Sequence, residues 1–262
     1  MIVAVLILLG LVFGSFVNAL VYRLHAKRDF VRERSECFNC HHVLGSKDLV
    51  PVLSWLALHG RCRYCHHPIP DSPIVELAVP AAFVLSYIYW PLPFQGAGLL
   101  SFVLWLVCIV GFAALTLYDL KWFLLPNKIV FPLIGLAVVQ VLVTSLFISG
   151  TWTSIVGSVI GAAVISGFFY LLFIASSGKW IGFGDVKLGI VLGLLAGGAL
   201  KALLLLFIAS AAGLLVALPL VIAGKANRKS HLPFGPLLIL GMIVVTLWGT
   251  QIIGGYTRLV LP

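Results

Sequence analysis

Six residues of this 262-residue chain have the types and spacing to do chemistry. Cys37 and Cys40 lie in "CFNCHH", and Cys62 and Cys65 repeat the pattern in "CRYCHH". Asp119 and Asp185 are the only acidic residues after Glu76. Each CxxC turn offers two sulfurs from a compact backbone. The twenty-one residues between the pairs fit the spacing of a four-cysteine zinc site. A Zn²⁺ held by Cys37, Cys40, Cys62 and Cys65 would be structural, supplying folding energy to a segment with little apolar content. The paired histidines His41/His42 and His66/His67 stand as alternative ligands or as solvated neighbours.

The aspartates suggest other chemistry. Two carboxylates brought close cannot both ionise, so one keeps a proton at neutral pH. The charged partner then activates a water while the protonated one donates to a carbonyl, which is the chemistry of an aspartic protease. Asp185 stands in "GFGD", where Gly182 and Gly184 would let a substrate strand lie against the backbone. Taken singly, either acid also reads as a helix cap or a solvated helix end. A carboxylate near a bilayer core costs roughly 2.5–3.5 kcal/mol, so Asp185 at the head of a long apolar run asks for a reason. Lys121 and Lys187 are expected to snorkel to the lipid surface rather than take part.

The elements that must position these groups are membrane helices. Of the residues, 61% are hydrophobic and 10% are charged, which excludes an ordinary soluble domain. Apolar runs recur near 2–24, 74–92, 99–118, 129–149, 155–175, 188–200, 202–223 and 234–254. The sixth is short, so eight spans is the best count, with seven or nine open. The expected fold is an all-α polytopic membrane protein of about eight transmembrane helices. A small zinc-ribbon-like cytosolic loop follows the first helix. The corresponding division is 1–24 for the first helix, 25–73 for the cysteine-rich loop and 74–262 for the membrane-embedded protease domain. Glycines spaced by four, Gly157/Gly161 and Gly189/Gly193/Gly197, suit close helix packing.

Charge orients the chain. The first thirteen residues carry no charge, unlike a secretion signal, and Arg23, Lys27 and Arg28 follow the apolar run. With eight spans, fifteen of the seventeen basic residues share one face, and only Lys201 and Arg258 fall opposite. By the positive-inside rule that face is cytoplasmic, with both termini outside. All eight acidic residues lie on it, so Asp119 and Asp185 sit at the inner membrane edge. The net charge of +9 then reports topology and contact with anionic lipid, not nucleic-acid binding. A reducing cytoplasm disfavours disulfides in the cysteine loop. Each CxxCH also matches a c-type haem site, which would need the other side of the membrane, and an iron–sulfur centre is a further alternative. Cys108 reads as a small buried apolar residue.

Taken in order, these segments resemble the type IV prepilin peptidases, bifunctional membrane aspartic proteases, almost end to end. "GSFVNALVYRL" is similar to the family's N-terminal signature. "RSECFNC" and "LVPVLSWLALHGRCRYCHHPI" resemble its cysteine loop, and "PIVELAV" the start of its second span. "YDLKWFLLPNKI" resembles its first catalytic motif, "GFGDVKL" its second, and "LPFGPLLILG" the motif of its last span. The chain departs from the family's habit at His25 (often proline), at His41 and His66 (often glycine) and at Asn127 (often aspartate).

The resemblance implies that Asp119 and Asp185 are the catalytic pair. It implies cleavage of the basic leader of prepilin or pseudopilin substrates at the cytoplasmic face of the inner membrane. It also implies N-methylation of the new terminus with S-adenosylmethionine. No glycine-rich nucleotide loop marks residues for that cofactor, and the oligomeric state is unassigned. Asp29, Glu33, Glu36, Asp71 and Glu76 are candidates for meeting a basic leader. The alternatives are another intramembrane aspartic protease of the GxGD kind, against which the cysteine loop and "PFGP" argue, and a cation-coupled transporter. The latter would favour carboxylates at the bilayer midplane.

Overall fold

The computed structural model describes residues 1–29, 35–69, 72–224 and 232–260. Glu33 and Asp71 lie outside them. Each of the eight apolar runs is a helix. These are α1 (Ile2–His25), α3 (Ile74–Tyr89), α4 (Ala97–Trp122), α5 (Asn127–Thr144), α6 (Trp152–Ala175), α7 (Phe183–Ala196), α8 (Ala199–Ile222) and α9 (Gly235–Val260). A five-residue helix, α2 (Leu53–Ala57), stands in the polar loop, and a π-helical turn at Ser145–Ser149 extends α5. No strand occurs among the described residues. Six helices are long and apolar enough to cross a membrane, whereas α3 has 16 residues and α7 has 14. The chain divides into two compact units, Met1–Ile88 with Ile109–Leu117, and Tyr89–Cys108 with Tyr118–Pro262.

In the first unit α1 packs on α3 through small residues. A Cβ at Gly14 would lie 2.6 Å from the Glu76 Cα, and Gly10 meets Pro80 in the same way. Phe13 and Phe83 close the contact above them, with ring centroids 6.4 Å apart. The N-terminal part of α1 is largely exposed, including Leu8 and Val12. An apolar helix face without protein cover is what lipid as solvent permits.

The second unit is assembled around α7. Half of its residues are buried, and it touches α5, α6, α8 and α9. Its seam with α6 uses both glycine series noted in the sequence. A Cβ at Gly161 would lie 2.5 Å from the Gly193 carbonyl oxygen, and one at Gly157 would lie 2.9 Å from the Gly197 carbonyl oxygen. Gly189 faces the Ser166 backbone at 3.1 Å by the same measure. Where lipid tails are as apolar as leucine, such backbone contact drives association. One polar link adds to it, since Gln140 Nε2 on α5 donates to Ser101 Oγ on α4 at 2.6 Å. Cys108 is fully buried.

The sixth run is displaced from its expected position at 188–200. The helix begins earlier, at Phe183, and stops at Ala196 because Gly197 takes φ +74 and Gly198 is extended. A Gly-Gly pair breaks the helix more cheaply than any other dipeptide of L-residues could.

Gly193→Ala should open the α6–α7 seam, because its Cβ would collide with the Ala162 backbone. A loss of about 1–3 kcal/mol is expected. Gly167→Ala, with nothing near its Cβ position, should be neutral or slightly stabilising. Thermal unfolding in detergent measures both, and equal stability of the two variants would contradict the seam.

Candidate active site and metal centre

Asp119 occupies the last turn of α4 and is 6% exposed. The helix closes on Phe123, a left-handed cap whose N–H donates to the Asp119 carbonyl at 2.8 Å. A helix C-terminus carries partial negative charge and is a poor setting for a carboxylate. The compensation comes from the opposite end of another helix. Gly235 opens α9, and its backbone N–H donates to Asp119 Oδ2 at 3.2 Å. The N-terminal end of a helix is a natural anion site. A Cβ at position 235 would stand 2.7 Å from that oxygen, so only glycine lets the helix end approach this closely.

Asp185 is the third residue of α7, after Gly182 as N-cap in an extended conformation. Its N–H donates to the Gly182 carbonyl at 3.1 Å. An acid in the first turn lies at the favourable end of its helix. The side chain is half-buried, and Leu125 links the two acids' surroundings, lying 3.0 Å from the Cβ position of Gly184 beside Asp185 and 3.6 Å from that of Gly235 against Asp119. The structure thus brings the two sequence-predicted acids to one place within the second unit.

The two glycines of "GFGD" differ. Gly182 is exposed, and the Asp185 carboxylate is 4.0 Å from where its Cβ would be. Gly184 is covered from within, with Leu125 Cβ at 3.0 Å from its Cβ position. The slender backbone there accommodates the chain's own leucine. Lys187 is held by Asn127, donating from Nζ to Oδ1 at 2.7 Å, and its ammonium lies over the Phe183 ring at 5.0 Å. Lys121 lies over Trp122. Gly235, Leu125 and Asn127 had no assigned role in the sequence. Gly235 alone left a signal, as the glycine of "PFGP" just ahead of a proline, a residue tolerated in the first helical turn.

The cysteine loop, in the first unit, is built twice on one plan. In the first knuckle Cys37 N–H donates to the His42 carbonyl and His41 N–H to the Cys37 carbonyl, each at 3.0 Å. The second repeats this with Cys62, His67 and His66. Antiparallel bridges Glu36–Val43 and Arg61–Pro68 close the two turns. The four sulfurs of Cys37, Cys40, Cys62 and Cys65 lie within 4.8 Å of one another, and Cys37 and Cys65 are 3.7 Å apart. A tetrahedron with Zn–S bonds of about 2.3 Å has edges of about 3.8 Å, so the donor set fits that ion. The first pair of histidines points to other partners: His41 Nδ1 approaches Glu36 at 3.4 Å, and His42 stacks on Tyr64.

Both His41 and His66 take positive φ, +54 and +55. The backbone there asks for glycine, and histidine pays a conformational cost. A polar clasp helps hold the knuckles together. Asp48 accepts from Arg63 Nε at 2.6 Å, from Tyr64 Oη at 3.2 Å and from the Gly45 N–H at 3.1 Å. The Arg63 hydrogen bond holds the Asp48 carboxyl below its ordinary range. Its contribution is therefore present above the ordinary carboxylate pKa and is lost as pH falls through the lowered value. Of the acids considered for a basic leader, Glu36 is paired with Arg28, and Glu76 accepts the Val52 N–H at 2.6 Å.

Residues 8–90 match the bacterial peptidase A24 N-terminal domain, and residues 106–218 match the type IV leader peptidase family. A prepilin leader peptidase/N-methyltransferase of Burkholderia pseudomallei is 35% identical over 93% of this chain and 84% of its own length. Proteins of the same name from Pseudomonas aeruginosa and Bacillus subtilis are 30% and 28% identical. They cover 96% and 98% of this chain and 92% and 99% of their own lengths. No solved structure matches the chain. With both matched segments in order and relatives aligned almost end to end, the chain belongs to the type IV leader peptidase family, the prepilin leader peptidase/N-methyltransferases.

Proposed function

We propose that the chain removes the leader from prepilin-like proteins with Asp119 and Asp185 as a catalytic pair, and then methylates the new N-terminus. The observation that supports the reading is Asp119 held by the Gly235 N–H, with Leu125 packed against both Gly235 and Gly184, the neighbour of Asp185. With one proton shared between them, the ionised carboxylate takes a proton from water as its oxygen attacks the scissile carbonyl. The other protonates the carbonyl oxygen. Collapse of the tetrahedral adduct expels the amine, which takes the proton that the first carboxylate drew from water, while a hydroxyl of the adduct returns a proton to the second. Gly182 is the exposed edge along which the scissile strand lies, and Gly184 sets the spacing to Leu125. The substrate enters from the bilayer, with its leader and both aspartates on the cytoplasmic side of the inner membrane.

Cys37, Cys40, Cys62 and Cys65 hold one Zn²⁺, which fixes the two knuckles and takes no part in cleavage. S-adenosylmethionine, when bound, would supply the methyl group that the new amine takes up.

Mass spectrometry of a prepilin-like substrate's N-terminus, after incubation with purified enzyme in detergent, tests the reading. Asp119→Asn and Asp185→Asn should each slow cleavage by at least about a hundredfold. Cleavage by either variant at the unmodified rate would exclude the pair. Gly235→Ala should displace the Asp119 carboxylate and slow cleavage by about tenfold to a hundredfold, with the fold retained. Wild-type enzyme given S-adenosylmethionine should add one methyl mass to the product.

Metal analysis should return one zinc per chain, lost on replacing any of the four cysteines by serine. His41→Gly combined with His66→Gly should retain the metal. The pair should raise the loop's resistance to chelator-induced unfolding by about 1–2 kcal/mol in all, through relief of two left-handed residues.

A further inference from the structure

Lys121 and Lys187 each follow an acid by two residues, Asp119 and Asp185 respectively. The fold uses them differently. Lys121 lies over the ring of its neighbour Trp122, 5.7 Å from the centroid. Lys187 crosses from α7 to α5, where its Nζ donates to Asn127 Oδ1 at 2.7 Å.

The setting of Lys187 is unfavourable for a cation. It lies in the second turn of α7, and Asn127 is the first residue of α5, so the ammonium stands near two helix N-termini. Helix dipoles disfavour positive charge at that end. Three contacts offset this. Asn127 accepts the hydrogen bond, and the rings of Phe183 and Phe131 lie 5.0 and 5.7 Å from the ammonium. Each helix supplies an i, i+4 pair, Phe183 with Lys187 and Asn127 with Phe131, so two facing surfaces build the cradle. Phe173 of α6 backs Phe183, with ring centroids 5.4 Å apart.

The cradle anchors the connection that follows Asp119. Residues 123–126 join α4 to α5, and at their near end the Phe123 N–H donates to the Asp119 carbonyl. At the far end Pro126 is extended, and Asn127 is tied to α7 through Lys187. Leu125 lies between these anchors. Its side chain is 3.0 Å from the Cβ position of Gly184 and 3.6 Å from that of Gly235. Gly184 precedes Asp185, and the Gly235 N–H holds Asp119, so a shift of Leu125 reaches both acids.

We propose that Lys187 is a positioning residue for the acid pair. By holding Asn127 it seats Leu125 against Gly184 and Gly235, and so sets the approach of Asp119 to Asp185. The inference rests on the proposed catalytic pair and adds what spaces it.

The test is steady-state cleavage of a prepilin-like substrate by the full chain in detergent. Hydrogen exchange of residues 123–128 is measured alongside, and thermal unfolding controls for folding. Lys187→Met keeps the stem and removes the donor, whereas Asn127→Leu removes the acceptor. Each should lower kcat about tenfold with KM unchanged, and the double variant should fall no further. Exchange of the segment should quicken about tenfold in all three. Asn127→Asp, which restores an acceptor, should rescue kcat, and Lys121→Met should retain it. Full kcat in Lys187→Met, with Asp119→Asn inactive, would overturn the positioning role alone. So would exchange of the segment at the wild-type rate. Losses that multiply in the double variant would make the two residues independent, and an equal loss in Lys121→Met would assign the effect to charge. Either would overturn the role. Cleavage by Asp119→Asn at the unmodified rate would overturn the pair and this inference with it.

Discussion

The second unit depends on one hydrogen bond that puts a carboxylate where a helix alone would not keep it. Asp119 sits at the negative end of α4, and the N–H that opens α9 supplies the missing positive end. That contact joins the last turn of α4 to the first residue of α9. It also leaves Asp119 Oδ1 outside the contact, so the acid is oriented while part of it stays available. Asp185 reaches the same place from the favourable end of its own helix. The two acids therefore arrive with unequal support, an asymmetry suited to a pair in which one member keeps a proton.

What the sequence discloses here follows from what kind of atom does the work. The two CxxC pairs are visible because thiolates are scarce and their spacing is local. Asp119 and Asp185 are visible because they are the only late acids in an apolar chain. Gly235 acts through a backbone N–H, a group shared by every residue but proline, so its partner appears only once the chain is folded. Leu125 over Gly184 is hidden for a related reason. A glycine shows that something approaches, without showing whether it is substrate or the protein itself. The C-terminal end of α7 is set by Gly197 and Gly198 and its start by Gly182, so both ends fall several residues from the hydropathy boundary.

The cysteine loop shows the two kinds of information side by side. Its duplication is legible as a repeated string, and the structure repeats it hydrogen bond for hydrogen bond. The histidines that follow Cys40 and Cys65 both take positive φ, a backbone that glycine adopts more easily. Histidine is tolerated because the knuckle over-determines the backbone on either side. The Asp48 clasp and the His42–Tyr64 stack join knuckles that the sequence separates.

The short central helix has a consequence for the lipid around it. At 14 residues α7 rises about 21 Å, against a hydrocarbon thickness of about 30 Å. Its far end is the Gly197–Gly198 link, where the terminal carbonyls of one helix and the first amides of the next both need partners. Hydrocarbon offers none. Part of the link is covered, since the Gly197 carbonyl lies against Gly157 of α6; wherever it meets lipid, bilayer thinning or water entry would answer it, and either response costs more as acyl chains lengthen. Hydrophobic mismatch thereby couples membrane thickness to the helix that bears Asp185, making acyl-chain length a physical variable of the enzyme in its own right.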